Sequence, residues 1–271
     1  MGGLQNLHSH SVYCDGSLTL EEMVLAAIAK GCDSFGFSGH SYAPFDNYGC
    51  MTVEGTANYF RECAELKEKY AEKIDIFTGI EQEHLVDPLP GNVDFIIGGI
   101  HYLFEDGNYV CVDAGAEGQQ QAVDTFYGGD YYTFAETYFS VLPAALVQVN
   151  ANIVAHFDIV TKYNFNGCCF DEAHPRYVAA ALDAMDKVLK NHRLFEVNTG
   201  AMYRLGRPEP YPSVFLLKEL RKRGGEVILT SDSHDAGSIC YKFDEMRELL
   251  KTCGFRYMKR LTKDGFTDVL I

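Results

Sequence analysis

The sequence has no apolar stretch approaching the roughly 18 residues that a bilayer-spanning helix needs. Nor does it have a basic run longer than Arg221-Lys222-Arg223, which falls at the end of a helical pattern. With a formal net charge of −15, the chain is ill suited to bind nucleic acid in general or an anionic membrane surface. The opening Met1-Gly2-Gly3-Leu4-Gln5 lacks the charged and apolar regions of a secretory signal. None of the nine cysteines forms a C-x-x-C pair, and their number is odd. A reduced, cytoplasmic chain with scattered core thiols is therefore expected. Tryptophan is absent, which excludes nothing. No repeat, linker or low-complexity segment stands out. What remains is ordinary globular composition, 47% hydrophobic and 23% charged over 271 residues. That length suggests two domains by size alone, but a single α/β barrel of roughly 250 residues accounts for it equally well.

Short β-rich runs alternate with amphipathic helical patterns. Strands are expected at Leu4–Leu7, Ser34–Ser38, Ile74–Ile80, Val93–Ile97, Asn152–Ala155, Arg193–Val197 and Val227–Thr230, with a last one at Phe255–Leu261. Thr19 and Glu22 form a capping box ahead of Leu20, Met23, Val24, Ala27 and Ile28 at helical spacing, and Gly31 ends that helix. Tyr59, Phe60, Cys63, Leu66 and Tyr70 share one side of the next helix. Asp171 is the expected cap of a later one, with Val178, Ala181, Leu182, Met185 and Leu189 inward. Pro212-Ser213 opens a helix that stops at Gly224-Gly225, and Phe243, Met246, Leu249 and Leu250 mark another. Such alternation implies a parallel sheet with right-handed crossovers. Seven or eight units point to a closed or distorted barrel. Only Glu105–Asn150, glycine-rich and carrying a helical pattern around Phe134, Tyr138 and Leu142, breaks the rhythm. It reads as an insertion in one domain spanning residues 1–271.

The histidines are informative through their positions. His8 and His10 follow the first strand, His40 the second, Glu81 the third, His101 the fourth and His156 the fifth, while Asp232 and His234 follow Thr230. In a parallel barrel those strand ends converge on one face, so residues far apart in sequence meet there. Imidazole and carboxylate suit Zn, Mn and Fe. In an extended segment, residues i and i+2 point the same way, so His8 and His10 can grip one ion, and Asp232 and His234 repeat the spacing. A lone H-x-H is a weak signal, and a single His after a strand is usually just hydrogen-bonded; a series of such events at successive strand ends is not explained that way. His84 is a candidate substrate contact or an outer residue of the site. His174 and His192 fit the surface. Cys168-Cys169 reads as loop or core thiols rather than a redox pair, and Tyr127–Tyr138 as packing. Gly98-Gly99 marks either a close approach of a ligand to the backbone or a tight strand end.

These motifs together, across nearly the whole chain, resemble the polymerase-and-histidinol-phosphatase (PHP) superfamily. They are His8-Ser9-His10 with Asp15-Gly16, Ser38-Gly39-His40, Gly79-Ile80-Glu81, Gly98-Gly99-Ile100-His101, Ala155-His156-Phe157-Asp158, Glu196-Val197-Asn198-Thr199 and Ser231-Asp232-Ser233-His234-Asp235. The long segment after His101 and the string Pro208-Glu209-Pro210-Tyr211-Pro212-Ser213 resemble its monofunctional histidinol-phosphatase subgroup. The resemblance implies a distorted (β/α)7 TIM-like barrel with a trinuclear site at the C-terminal strand ends. The first ion would be held by His8, His10, Glu81 and Asp232, the second by Glu81, His101 and His156, and the third by Asp15, His40 and His234. Zn, Mn and Fe all occur in the family. Where its phosphatases carry a Ser-Gly-Leu-Arg-Lys-like run, this chain has Gly200-Ala201-Met202-Tyr203-Arg204. Arg204 and Lys162 are the expected phosphate cations, and Glu196 and Glu83 the expected partners of a substrate amine and imidazole. The implied reaction is hydrolysis of L-histidinol phosphate, with hydroxide bridging the first two ions as nucleophile and Glu81, Asp232 and His234 in catalytic positions. Competing readings are a PHP phosphoesterase for a nucleotide, sugar phosphate or phosphotyrosine, a non-catalytic metal-binding module, and, more remotely, a metal-dependent deaminase. The expected partner is a small phosphate ester, with the chain a monomer or homodimer.

Overall fold

The computed structural model describes residues 3–271. In chain order its elements are β1 (Leu4–Asn6), α1 (Leu20–Lys30), β2 (Cys32–Phe37), α2 (Val53–Lys69), β3 (Asp75–Glu83), β4 (Phe95–Gly99), β5 (Tyr102–Glu105), β6 (Asn108–Cys111), α3 (Ala116–Phe126) and α4 (Tyr131–Gln148). There follow β7 (Ile153–Val154), α5 (Pro175–Val188), β8 (Leu194–Asn198), α6 (Gly200–Arg204), α7 (Val214–Lys222), β9 (Glu226–Thr230), α8 (Phe243–Thr252), β10 (Tyr257–Thr262) and β11 (Gly265–Leu270).

Local chemistry sets many of these boundaries. The Thr19 side chain accepts from Glu22 N while the Glu22 carboxylate accepts from Thr19 N, so two otherwise unpaired N–H groups at the start of α1 are satisfied together. Gly31 closes the helix at φ 85°, a conformation that costs glycine little. The cap of α5 is His174 rather than Asp171. Pro175 fixes the first helical turn, and the Asp171 carboxylate is taken by Ala173 N one turn earlier. The buried face of α5 consequently runs through Tyr177, Ala181, Ala184, Met185 and Val188, while Val178 and Leu182 sit at its margin.

Seven parallel strands run in the order β1-β2-β3-β4-β7-β8-β9. The sheet curls until its ends meet just beyond β1 and β9, where His10 N donates to Ser233 O (2.8 Å) and Ser233 N donates to His8 O (3.0 Å). This is a distorted (β/α)7 TIM-like barrel. Alternate strand residues Phe77, Phe95, Ile97, Ile153, Leu194 and Ile228, with Leu7 beyond β1, fill its interior, as the two-residue period of a strand requires. A larger apolar layer lies between sheet and helices. Between β4 and β7 the chain forms the antiparallel β5–β6 hairpin and then α3 and α4. Phe134, Tyr138 and Leu142 of α4 are fully buried, which makes the tyrosine-rich run packing. The expected last strand, Phe255–Leu261, lies outside the barrel. As β10 it pairs antiparallel with β11, a strand not foreseen, and Leu261 joins the barrel-interior cluster while the Gln5 side chain bonds both its N–H and its C=O. Among the described residues no helix is long and apolar enough to cross a membrane.

Candidate metal centre

Barrel closure is what aims His8 and His10. Ser9 O accepts from Ser38 N on the β2 side at 2.9 Å, and the His8 and His10 backbones bond Ser233 on the β9 side. Buried Asn6 ties the two ends further, its amide donating to His8 O and its carbonyl accepting from Ser231 N. His40 and Glu81 come together by the same means, because Glu81 N donates to Gly39 O and Ser41 N donates to Glu81 O. Asp232 sits in the left-handed region at φ 45°, uncommon for a residue with a side chain and a mark of a turn held by its surroundings.

Glu81 is the hub. Its Oε2 lies 3.1 Å from His8 Nε2, 3.1 Å from His40 Nδ1 and 3.6 Å from His10 Nε2. Its Oε1 lies 2.9 Å from His156 Nε2 and 3.3 Å from His101 Nε2. Asp232 Oδ1 is 3.2 Å from His10 Nε2 and 3.6 Å from His8 Nε2. Asp15 approaches His234 at 3.1 Å, His10 at 3.3 Å and His40 at 3.7 Å. Three sets of donor atoms converge closely enough to share an ion: His8, His10 and Asp232; His10, Asp15, His40 and His234; and His40, Glu81 and His101. The sequence-expected partition differs in detail: His10 here also faces Asp15, and His40 also faces Glu81.

The electrostatics show what this arrangement asks for. Burial opposes charge on His8, yet Glu196, Glu81 and Asp232 outweigh it and raise its ring well above the ordinary value. His10 is raised in the same way against burial, by Cys14, Asp15 and Asp232. His101 is lowered by burial but lifted further by Glu81, to about 9. For His40 burial prevails and the value falls to about 4. Burial alone would raise Glu81, but His8, His40 and His101 hold it well below the carboxylate range. Three buried carboxylates thus demand positive charge, and protons on imidazole supply it when no ion does. His10 Nε2 and His156 Nδ1 are buried without a hydrogen-bond partner. Imidazole and carboxylate donors, converging, anionic and partly unsatisfied, fit divalent metal ions.

Glu196 corrects an expectation. It is not at the substrate face but fully buried beneath the histidines. Its Oε2 accepts from His8 Nδ1 and Thr230 Oγ1, both at 2.8 Å, and its Oε1 from His156 N at 2.6 Å and Asn198 Nδ2 at 2.8 Å. By taking the Nδ1 proton of His8 it leaves Nε2 free to face Glu81 and Asp232, the carboxylate–histidine arrangement that orients metal ligands. Glu83 is also largely engaged, accepting from His84 N at 2.8 Å and His101 N at 2.9 Å. It nevertheless lines a cleft of about 110 Å³ beside the centre, together with Asp15, His40, Asp46, Glu81, His101, Tyr102 and Asp113. His84 does not line that cleft; it is buried, with Nδ1 2.5 Å from Glu83. His174 and His192 lie away from the cluster, His174 capping α5 and His192 facing Ala151 O.

Arg204 stands at the rim, 2.9 Å from Asp232 Oδ2 and 2.8 Å from His234 Nδ1. Lys162 pairs with Asp113 at 2.7 Å; burial alone would discharge it, but Asp113 holds it charged. Sequence reasoning missed Asp113 and the buried Arg207 and did not give Asp158 a role, because nothing in an isolated Asp or Arg reports its burial. Gly98 and Gly99 prove to be close packing. A Cβ on Gly99 would stand 3.0 Å from the His156 ring, and one on Gly98 2.6 Å from Ala151. All nine cysteines are free thiols.

Residues 6–200 match the family model of the PHP domain. A probable histidinol-phosphatase of Deinococcus radiodurans is 26% identical over 279 residues, covering 96% of this chain and 99% of the relative. The histidinol-phosphatase of Bacillus subtilis is 21% identical, covering 89% and 97%. Among solved structures, a chain from Listeria monocytogenes superposes with a TM-score of 0.77 at 19% identity, covering 89% of this chain and 99% of that one. The histidinol phosphate phosphatase of Lactococcus lactis, complexed with Zn, L-histidinol and phosphate, superposes at 0.66 and 22% identity, covering 97% and 98%. At these identities the two structural matches establish the fold.

Proposed function

The chain belongs to the PHP family, and from that premise we propose that it is a metal-dependent phosphatase that hydrolyses L-histidinol phosphate to L-histidinol and inorganic phosphate. The observation that carries the reading is the convergence of His8, His10, Asp15, His40, Glu81, His101, His156, Asp232 and His234 on one barrel face. The named relatives, matched over nearly their full length, give the substrate.

These residues would hold three divalent ions, with Zn, Mn and Fe all compatible with the donors. Such ions, when bound, lower the pKa of an attacking water and neutralise phosphoryl oxygens. The chain supplies the rest. Glu81 offers one oxygen to the His8 side and the other to the His156 side, so a single carboxylate ties the two halves of the centre together. Asp232 and His234 hold the opposite edge. Arg204 and Lys162 would take phosphoryl oxygens, and their charge acts more strongly as negative charge gathers in the transition state. Glu83, Asp46 and Asp113 give the adjoining cleft the negative character that a protonated amine or imidazole favours. On a chain of net charge −15, phosphate capture depends on this concentrated local positive site. The test is phosphate release by metal-loaded protein. Histidinol phosphate should turn over far faster than sugar phosphates, and comparable rates would sink the substrate assignment.

A further inference from the structure

The proline-rich string Pro208-Glu209-Pro210-Tyr211-Pro212-Ser213 has no part in the chemistry above, and the residue before it, Arg207, links the two segments that carry the phosphate cations. Arg207 Nη1 donates to Thr161 O at 2.9 Å. Thr161 ends the 3₁₀ turn Ile159–Thr161, and the next residue is Lys162. The Arg207 backbone N–H donates to Ala201 O at 3.2 Å, on the helix that ends in Arg204. The loop beyond is anchored to the same places. The Arg207 guanidinium lies 4.5 Å from the centre of the Tyr211 ring. Tyr211 exchanges backbone hydrogen bonds with Asn198 at the end of β8, and Ser213 N donates to Asp158 Oδ2 at 3.0 Å, where the Lys162 turn begins.

A buried guanidinium is an expensive way to hold a loop. Arg207 is only 8% exposed, and its Nε and the Oδ1 of Asp158 both lack a partner. Desolvation of that kind weakens a fold unless another gain offsets it. Lys162 and Arg204 each pair with a carboxylate of their own, Asp113 and Asp232, so neither ion pair sets the distance between the two cations, whereas the bonds of Arg207 join their two segments.

We infer that the Arg207 side chain is a positioning residue that holds the Lys162 ammonium at the reach from the Arg204 guanidinium that one phosphoryl group occupies, while its backbone N–H, which a substitution keeps, serves the Arg204 helix. The inference rests on the reading that those two cations hold phosphate. It differs from a structural role in that it predicts coupling: removing Arg207 should matter only while Lys162 is there to be misplaced.

A double-mutant cycle on the metal-loaded protein tests it, with K162A, R207A and the pair, and inorganic phosphate as a second probe. R207A should raise KM for the phosphate ester and the inhibition constant of inorganic phosphate about tenfold, with kcat changed less. The double variant should be no worse than K162A alone, and R207K, which keeps a donor for Thr161 O, should recover part of the loss. Losses that multiply across the cycle, or an R207A protein with unchanged KM and a lowered Tm, would overturn the inference while leaving the phosphatase reading intact. A harmless K162A would remove the premise and the inference with it. If R207A does not fold, R207K replaces it in the cycle, with the same requirement of coupling to Lys162.

Discussion

Glu196→Gln isolates the part of the centre that sequence alone misread. The side chain keeps its size, so packing is preserved and only the oxygen-to-amide exchange matters. Both carboxylate oxygens accept two hydrogen bonds. The donors at Oε1 are the His156 N–H, which cannot become an acceptor, and the Asn198 amide, whose Oδ1 is held by Gly200 N. The new NH₂ must therefore sit at the Oε2 position, against Thr230 and His8 Nδ1. Thr230 can rotate its hydroxyl, but His8 must accept at Nδ1, which moves its proton to Nε2, the nitrogen that faces Glu81 and Asp232. The nitrogen proposed to bind metal is thereby turned into a donor. Changes of this kind beside a ligand cost about 10- to 100-fold in metal affinity or activity, or roughly 1.4–2.7 kcal/mol. Chelator-competition titration of the metal-free protein should show that loss, with KM for the substrate nearly unchanged once metal is saturating. Were Glu196 a substrate contact instead, KM would rise and metal affinity would hold. That outcome, or no change in either, would refute the reasoning.

Other expectations follow from the same geometry. Because the folded metal-free protein raises His101 from 6.5 to about 9, protonation of this ring stabilises the metal-free fold fully below about pH 6.5. That contribution is lost as pH rises through 9, so Tm of the metal-free protein should fall across that window. Metal binding requires the neutral ring, so apparent metal affinity should rise over the same range with proton release; a pH-independent affinity would contradict this. Leu142 on α4 is fully buried in the core, so Leu142→Ala should cost about 2–5 kcal/mol in chemical denaturation without changing KM.

Most of the candidate metal ligands are legible because they lie at or just beyond strand ends, and the barrel brings strand ends together whatever the intervening sequence. His8 and Glu81 are 73 residues apart, yet their positions after β1 and within β3 placed them face to face. Glu196 was not legible in its true role, since an acidic residue inside a strand looks the same whether it meets solvent, substrate or a histidine beneath the site. Its neighbour Asn198 and the threonine at the end of β9 decide that, and only the folded sheet joins them. Asp171 reads as the cap because aspartate is common at that position, whereas Pro175 is the signal that marks the true start, one residue after His174. That the last expected strand lies outside the barrel and pairs with β11 is not legible for a related reason. The alternation of strand and helix carries no marker for where the barrel is complete, and Leu261 looks as apolar as any barrel residue.

The central claim is a divalent-metal centre that releases phosphate from histidinol phosphate. Its most direct test is elemental analysis of metal per chain, read beside phosphate release as chelator-stripped protein is titrated with Zn or Mn. Release should appear only with bound metal, reach its maximum as the centre fills, and vanish in a folded His101→Ala variant. Phosphate release that persists undiminished in fully stripped protein, or metal-loaded protein that leaves histidinol phosphate intact, would contradict it.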